Sequence, residues 1–399
     1  MIAVKTRIQA VFGGIQTAST PAVTRLLALD ALRGFIIVLM ALDHANSFIA
    51  HGQLQPELWA DLFPNYGTDT LRFLTRFITH LAAPGFFFLM GTGMALWAAS
   101  RTGPSWTPSR IARHFIVRGL LLIALQLTLE NLAWSLKGDP FDGATYFGVL
   151  YALGATMILG TPLLALPTRV LVAVSALMIA LVELSLPEAR SGFVAYPPLL
   201  RLWLLPGGYD GSIFVLYPVF PCLGVVGLGM AYGRWLRRDP TGAYRGALWA
   251  GVSALLAFLW FRALGTYGNI RPPQNASALA FFNLVKYPPA VAFLTLTLGI
   301  DLVLLWLLAR RFTGRFANRQ ESAPKWLLPL VIIGRVPLFF YLAHLYLYGV
   351  LGLLLKPYTI SIPGMIPFWL LGLVVLLPLC ALYGRFKHTR PPDSLWRLL

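Results

Sequence analysis

Long apolar runs recur along this chain from near residue 29 to near residue 385, and they constrain its fold more than any other feature. A run of about 20 mainly apolar residues is long enough to cross the hydrocarbon core of a bilayer as a helix. Only 12% of the residues are charged, whereas soluble domains carry about 25%. The sequence therefore predicts an all-α fold, a polytopic membrane helix bundle in contact with the lipid bilayer.

We predict about ten transmembrane helices in this bundle. Their approximate ranges are 29–50, 73–99, 111–134, 146–166, 168–187, 213–236, 245–265, 284–309, 326–355 and 364–385. The membrane domain as a whole is predicted to cover residues 27–386, between an N-terminal tail (1–26) and a C-terminal tail (387–399). The first tail is basic and only weakly apolar, which predicts an uncleaved tail rather than a signal peptide.

The distribution of charge predicts the orientation. Lysine and arginine concentrate in both tails and in the loops near residues 101–113, 234–245 and 310–325, which a ten-helix count places on one side. By the positive-inside rule, both termini are predicted to be cytoplasmic, in a bacterial inner membrane. This rule explains the net charge of +17 without a nucleic-acid partner. The two cysteines lie in apolar runs and have neither disulfide nor metal spacing.

The first predicted helix carries four ionisable residues, Asp30, Arg33, Asp43 and His44, in an otherwise apolar run that ends at His51. Ionisable groups inside a membrane are costly, so a functional role is the default hypothesis for them. Arg33 and His44 are eleven positions apart, almost three helical turns, which puts both on one face about 16 Å apart along the axis.

His44 is a candidate catalytic residue, because histidine takes up and returns a proton near neutral pH. The alternative is a neutral histidine hydrogen-bonded to a neighbouring helix. Asp43 is predicted to point about 100° away, so it is not expected to orient His44 directly. His51 follows on the same face near the helix end, either as a second catalytic or gating group or as a loop residue.

The second predicted helix carries a polar stripe of Arg72, Arg76 and His80 at intervals of four residues. His80 lies at membrane depth and is a further candidate catalytic residue. Arg76 is predicted to line the site, or else to form an ion pair or extend its guanidinium to the membrane surface.

An anion-binding site is predicted at the cytoplasmic end of the bundle. Arg33 suits bidentate contact with phosphate, unless it is simply neutralised by Asp30 one turn away. Arg110, Arg113 and His114 form a basic rim on the third helix, which is either a landing surface for an anionic cofactor or an ordinary basic edge.

Five further residues are predicted to line a polar cavity. They are Glu130, Lys286, Arg335, Tyr341 and His344. The alternatives are a capping or interfacial role for Glu130, extension to the outer surface for Lys286 and core packing for Tyr341 and His344. Tyr341 and His344 share one helical face, and Lys286 precedes a double proline that would interrupt its helix. The residues QPELWADLF after the first helix predict a short interfacial helix. No P-loop, dinucleotide-binding glycine motif, serine elbow or zinc spacing is present.

Four stretches of the chain resemble a known family. They are LDALRGFIIVLMALDHAN, FLTRFITHLAAPGFFFLMGTG, NLVKYPPAVAFLTLTLG and IIGRVPLFFYLAHLYLYG. In this order they resemble bacterial membrane proteins related to the catalytic domain of heparan-α-glucosaminide N-acetyltransferase, over residues of about 27 to 350. The arginine-then-histidine spacing also resembles that of the wider transmembrane acyltransferase superfamily. The resemblance implies ten or eleven helices and an acyl-CoA donor that enters from the cytoplasm.

The resemblance places the superfamily's arginine at Arg33 and its histidine at His44. In the eukaryotic heparan enzymes, however, asparagine aligns with His44, and the proposed catalytic histidine lies in the following loop. That loop offers His51 in this chain, so the resemblance leaves both histidines as candidates. His80 occupies a position where the eukaryotic pattern has an acid.

The leading hypothesis is a membrane acyltransferase that moves an acetyl group from acetyl-CoA to a sugar or glycan acceptor. His44 would act as general base or carry the acyl group, Arg33 and the basic rim would hold the CoA phosphates, and His80, Arg335 and His344 would complete the cavity. One alternative is a proton-coupled transporter or flippase for an anionic or sugar-linked substrate, and another is a non-catalytic membrane partner. A homo-oligomer is compatible with each hypothesis.

Overall fold

A computed structural model describes residues 21–51, 56–59, 63–101, 103, 106–186, 207–313, 324–391, 394 and 396, with backbone only at 21–26 and 313. The chain is mostly helical. Seven helices in the described part are long and apolar enough to cross a membrane: Thr70–Ser100, Pro108–Ser135, Val219–Arg238, Pro240–Leu264, Val291–Phe312, Pro337–Leu355 and Ile362–Thr389. These lengths confirm a multi-pass helical membrane protein, whereas ten helices and cytoplasmic termini stay predictions.

The helices and strands follow in this order. The first half contains α1 (Pro21–Ala45), α2 (Thr70–Thr79), α3 (Ala82–Ser100), α4 (Pro108–Leu125), α5 (Asn131–Ser135), β1 (Thr145–Phe147), α6 (Val149–Gly160) and α7 (Thr168–Leu184). The second half contains β2 (Gly208–Asp210), β3 (Ile213–Val215), α8 (Val219–Arg238), α9 (Pro240–Leu264), α10 (Ala278–Phe282), α11 (Val291–Thr313), α12 (Leu328–Arg335), α13 (Pro337–Leu355) and α14 (Ile362–Thr389).

Two turns of π-helix interrupt the regular geometry. One, Asn46–Ala50, continues α1, and the other, Gln126–Glu130, joins α4 to α5. Short 3₁₀ turns follow α6 at Pro162–Ala165 and precede α12 at Lys325–Leu327. Single π turns inside α-helices occur frequently at functional sites, and both of these lie beside the cavity described below.

The all-α prediction missed a small sheet. In it, β3 pairs in parallel with β1 and antiparallel with β2. Tyr146 of β1 and Phe214 of β3 pack with Phe141 into an aromatic cluster on this sheet. The strands are only three residues long, too short for an alternating pattern to stand out among apolar runs.

Several predicted helices are broken or shorter in the structure. The helices expected from residues 146 and 213 begin at Val149 and Val219, because strands β1 and β3 occupy the first residues of those ranges. The range 73–99 is split between α2 and α3 at His80 and Leu81, and the range 326–355 is split between α12 and α13 at Val336. The helix expected from residue 284 begins at Val291, after a non-helical segment around Pro288 and Pro289. Proline lacks an N–H and disfavours helical geometry at the preceding residue, so this helix begins beyond both prolines.

The predicted interfacial helix in QPELWADLF is wrong at Pro56–Trp59, which are not helical. This segment pairs with the non-helical segment that precedes α11: Trp59 N donates to the carbonyl of Tyr287 at 3.0 Å, and Lys286 N donates to the carbonyl of Glu57 at 3.1 Å. Leu58 and Trp59 are consequently buried. Residues 55 and 60–62 of the same motif lie outside the described residues.

Helix α1 packs closely against both α12 and α13. An added Cβ at Gly334 would meet the carbonyl of Asp30, and one at Gly352 would meet the carbonyl of Phe48. A Cβ at Gly34 would meet the carbonyl of Leu330, so α12 passes α1 in the opposite direction. Helix α13 is parallel to α1, because its contacts advance from His44 and His344 to Phe48 and Gly352. Glycine permits this close backbone approach, as small residues do between membrane helices generally. Side chains on the shared face of α1 accordingly meet residues of α12 and α13.

Helices α3 and α8 also pack backbone against backbone. A Cβ at Gly91 would meet the carbonyl of Val226, and a Cβ at Gly229 would meet the carbonyl of Phe88. Between them, the Thr92 hydroxyl donates across the interface to the carbonyl of Gly229 at 3.0 Å. These contacts join the second and sixth predicted spans.

Gly91→Ala is expected to force α3 and α8 apart and to lower the free energy of unfolding by about 1–3 kcal/mol, the usual cost of overpacking. Gly93 is a matched control on the same helix, because a Cβ there meets nothing within 4 Å. The midpoint of thermal unfolding in detergent should fall for Gly91→Ala and not for Gly93→Ala. Equal midpoints for both variants would contradict this packing.

Candidate functional site

His44 and His344 form a hydrogen-bonded pair between α1 and α13. His44 Nδ1 lies 2.7 Å from His344 Nε2, and His344 Nδ1 lies 2.9 Å from the carbonyl oxygen of Phe340. The rings of Trp134 and Tyr341 approach His44 nearly at right angles, with centroids 5.4 Å and 6.1 Å away. His44 is therefore fixed on three sides, and its Nε2 atom is the nitrogen left for a substrate.

Arg76 binds two carboxylates next to this pair. Its Nη1 atom donates to Asp43 Oδ2 at 2.8 Å, while its Nε and Nη2 atoms donate to the two oxygens of Glu57, each at 2.7 Å. Thr79 donates to Asp43 at 3.2 Å, and His80 Nε2 lies 3.3 Å from Glu57 Oε1. This arrangement ties α1, α2 and the loop between them together.

Glu57 lies in the loop between the first two predicted spans and is completely buried. Burial alone would raise the pKa of its carboxyl, but the charge and hydrogen bonds of the Arg76 guanidinium outweigh burial and hold the pKa well below its usual range. Glu57 is therefore a charged partner for Arg76, in the bidentate geometry that suits arginine and carboxylate.

A cavity of about 250 Å³ opens beside His44. Its polar wall includes Asp43, His44, Ser47, Arg76, Lys137, Lys286 and Tyr341, and its aromatic wall includes Trp134, Phe141, Tyr146, Tyr209, Phe214, Tyr217 and Tyr287. Lys137 donates to the Ser47 hydroxyl at 3.0 Å, and burial lowers the pKa of this lysine. A few placed polar groups within an aromatic lining are typical of a small-molecule site.

Glu130 supports this wall from behind. The Tyr341 hydroxyl donates to Glu130 Oε1 at 2.8 Å, and Tyr346 donates to the carbonyl of Leu129 at 2.9 Å. Glu130 is buried in the π turn between α4 and α5. The turn thus holds Tyr341 against His44.

A second polar cluster lies at the opposite end of α1. Arg33 Nη1 donates to Asp30 Oδ1 and to the carbonyl of Gly334, both at 3.0 Å, and Arg335 Nε lies 3.3 Å from Asp30 Oδ2. Arg118 of α4 is close enough to Arg33 for their charges to repel, and its Nε is buried without a hydrogen-bond partner among the described residues. Arg33 and Arg335 therefore share one carboxylate, and the guanidinium of Arg118 lies near that of Arg33, which leaves an excess of positive charge.

The basic rim on α4 packs on two tryptophans. His114 stacks on Trp97, with ring centroids 3.9 Å apart, and the Arg110 guanidinium lies 4.6 Å from the ring centre of Trp106. Arg101 lies over both indole rings, at 4.7 Å and 4.8 Å. Arg113 is exposed.

The structure separates the residues that the sequence analysis put forward into distinct places. The cavity wall contains Asp43, His44, Arg76, Lys286 and Tyr341, with His344 and Glu130 directly behind it. His80 lies behind Glu57, and His51 is exposed at the end of the π turn, with a positive φ of 47°. Arg335 lies with Asp30, away from this cavity wall. His51 and His80 are thus outside the wall that His44 lines.

Sequence reasoning missed Glu57, Lys137 and Asp301. Lys137 had a signal, because it is a basic residue in a predicted outer loop that otherwise carries the acids Asp139 and Asp142. Asp301 also had one, as an acid within an apolar run; it is buried beside Gly85, and neither carboxyl oxygen has a hydrogen-bond partner among the described residues. Glu57 had none, since an acid in a loop looks like any solvated residue.

Fold and site together define a polytopic helical membrane protein with a histidine pair beside a polar cavity. A family model described as heparan-α-glucosaminide N-acetyltransferase, catalytic, matches residues 25–267. The chain belongs to this family, which confirms the resemblance drawn from the sequence. No curated protein matches the chain.

Proposed function

We propose that the chain is a membrane acetyltransferase that moves an acetyl group from acetyl-CoA to an amine or hydroxyl of a sugar acceptor, with His44 as general base. Membership of the N-acetyltransferase family supports the reaction class. The observation that carries the proposal is the position of His44: it lines the cavity while its Nδ1 atom is engaged by His344. The engaged nitrogen sets the ring, and Nε2 is available for proton transfer.

In the proposed reaction, His44 Nε2 takes the proton from the acceptor as the acceptor's nitrogen or oxygen forms a bond to the acyl carbon. The carbon–sulfur bond of the thioester then breaks, and the thiolate recovers that proton from the His44 imidazolium. The products are the acetylated acceptor and CoA thiol, so His44 returns to its starting state. Base assistance of this kind contributes about 10²–10⁴-fold to rate.

The cluster around Arg33 fits the phosphates of the donor. Arg33 and Arg335 share the single carboxylate of Asp30, and Arg118 lies near Arg33 with a buried Nε that has no hydrogen-bond partner among the described residues. Guanidinium groups bind phosphate in bidentate geometry. Arg33 and His44 are eleven residues apart on a continuous helix, about 16 Å by helical rise, a span that suits an extended pantetheine arm.

The proposal assigns the two ends of α1 to opposite sides of the membrane. The basic loops and tails favour a cytoplasmic position for the Asp30 end of α1. Acyl-CoA is made in the cytoplasm and would reach this end first. The His44 cavity would then open toward the outer side. The rim residues Arg110, Arg113 and His114 belong to the cytoplasmic side in this arrangement. The aromatic wall of the cavity suits the apolar faces of a sugar ring.

Purified protein in detergent, given radiolabelled acetyl-CoA and glucosamine or an α-glucosaminide, is expected to form labelled product and an equal amount of CoA thiol. Both cysteines of the chain are buried, so a thiol reagent should report CoA with little background. Proteoliposomes that take up the sugar derivative in response to a proton gradient, without thiol release, would favour the transporter hypothesis and contradict this proposal.

A further inference from the structure

The hydrogen bonds of His344 determine which nitrogen of His44 carries a proton. A carbonyl oxygen only accepts hydrogen bonds, so the 2.9 Å contact between His344 Nδ1 and the carbonyl of Phe340 requires a proton on Nδ1. A neutral imidazole has one N–H, and His344 Nε2 is therefore an acceptor. The 2.7 Å contact with His44 Nδ1 then requires a proton on the His44 atom.

The neutral form of His344 is the one that its surroundings favour. The side chain is completely buried, and its ring contacts are with Phe340, Tyr341, Tyr348 and His44. No carboxylate of the described residues lies within ion-pair distance of it. Burying an unpaired charge in such a place is costly, so a second proton on His344 is disfavoured.

The geometry of the two rings supports a directional hydrogen bond. Their planes differ by 8°, and their centroids are 4.9 Å apart. The N···N distance of 2.7 Å and the two ring radii together account for nearly all of this separation. The rings therefore lie edge to edge in nearly one plane, so the lone pair of His344 Nε2 points at the His44 N–H.

We propose that His344 is a positioning residue that holds His44 in the Nδ1–H tautomer, and thereby presents an unprotonated Nε2 to the substrate. Two hydrogen bonds act in series: His44 Nδ1 donates to His344 Nε2, and His344 Nδ1 donates to the carbonyl of Phe340. It anchors the base to the backbone of α13 without a carboxylate. This inference rests on the proposed function, because only a proton acceptor needs a fixed tautomer.

Nitrogen-15 NMR of histidine-labelled protein in detergent tests the tautomer without any acyl donor. The chain has six histidines, and the His44 signals can be assigned from the spectrum of His44→Gln. Above the ordinary histidine pKa of about 6.5, His44 is expected to carry its proton on Nδ1 and none on Nε2. A proton on Nε2 of His44 in the unchanged protein would overturn the proposal.

Two variants separate a positioning role from a packing role. In His344→Gln the amide oxygen can replace the Nε2 acceptor, so the His44 tautomer should persist. In His344→Leu the acceptor is lost, and His44 should become a mixture of tautomers. An unchanged tautomer in His344→Leu would overturn the inference.

The same variants have a kinetic consequence if transfer occurs. Groups that orient metal-binding histidines account for about 10- to 100-fold in activity, and we expect a similar factor for the group that orients His44. His344→Leu should lose kcat by this factor with little change in KM, and His344→Gln should recover most of it. Absence of transfer in the unchanged protein would contradict the proposed function and leave the tautomer result standing, so the two failures are distinguishable.

Discussion

Replacement of His44 by alanine is expected to lower the rate of acetyl transfer by about 10²–10⁴-fold, the usual contribution of a general base. Loss of the ring removes the Nε2 acceptor from the cavity wall and the donor to His344. His44→Gln is the informative companion, since its amide can hydrogen-bond but cannot take a proton at neutral pH. Both variants should bind acetyl-CoA with unchanged affinity, because the proposed phosphate site lies about 16 Å away.

His51 provides the matched control for His44. It is exposed and has a left-handed backbone conformation at the end of the π turn, so His51→Asn keeps a residue that tolerates this conformation. Transfer by His51→Asn should stay within a few-fold of the unchanged protein. If His51→Asn loses acetyl transfer while His44→Ala keeps full activity, the catalytic role belongs to His51 instead.

Replacement of Arg76 by leucine is expected to lower the free energy of unfolding by about 3–5 kcal/mol. The substitution leaves two carboxylates without their partner: Glu57, which is fully buried, and Asp43, which is 15% exposed. An uncompensated buried charge costs far more than a lost surface pair. The thermal midpoint in detergent and the yield of monodisperse protein should both fall sharply.

Two controls make the Arg76 result specific. Arg72→Leu changes a partly exposed arginine one turn earlier on α2 and should cost within about 1 kcal/mol. The triple variant Arg76→Leu, Glu57→Gln, Asp43→Asn removes the charges together and should recover part of the loss. If Arg76→Leu lowers the free energy of unfolding by no more than Arg72→Leu does, the buried ion pairs do not stabilise this region.

The same pairs predict a pH dependence with a defined sign. Because the pKa of Glu57 is lower in the folded chain than its ordinary value of about 4.3, its contribution to stability is complete above that value. The contribution is lost as the pH falls through the lower, folded value. Acid should therefore lower the thermal midpoint of the unchanged protein more than that of Glu57→Gln.

The sequence predicted those features of the site that depend on residues close together along the chain. Arg33 and His44 lie on one α-helix and both contact the α12–α13 segment, at Gly334 and His344, as their spacing predicted. The interpretation that Asp43 is not the partner of His44 Nδ1 also holds, since that atom contacts His344. The family followed from four short motifs, each a contiguous stretch of sequence, so that no contact between distant residues was needed to find it.

The rest depends on contacts between residues that are distant in sequence. Glu57 meets Arg76 through a loop, and Lys286 enters the cavity wall because the segment before α11 is non-helical and pairs with residues 57–59. Neither π turn has a recognisable pattern, although the turns place Ser47 and Glu130 at the site. Hydropathy identifies a span, but it contains no information on which polar side chain a neighbouring helix presents.

The pairing of α1 with α13 has a consequence for biosynthesis. His44 enters the membrane with the first helix, whereas His344 is synthesised 300 residues later. At about 5–20 residues per second, this is an interval of roughly 15–60 s. Until α13 is inserted, His44 Nδ1 has no His344 acceptor, so either ring nitrogen of His44 can carry the proton. The nascent chain would therefore acquire its transfer chemistry only when nearly the whole bundle has been assembled.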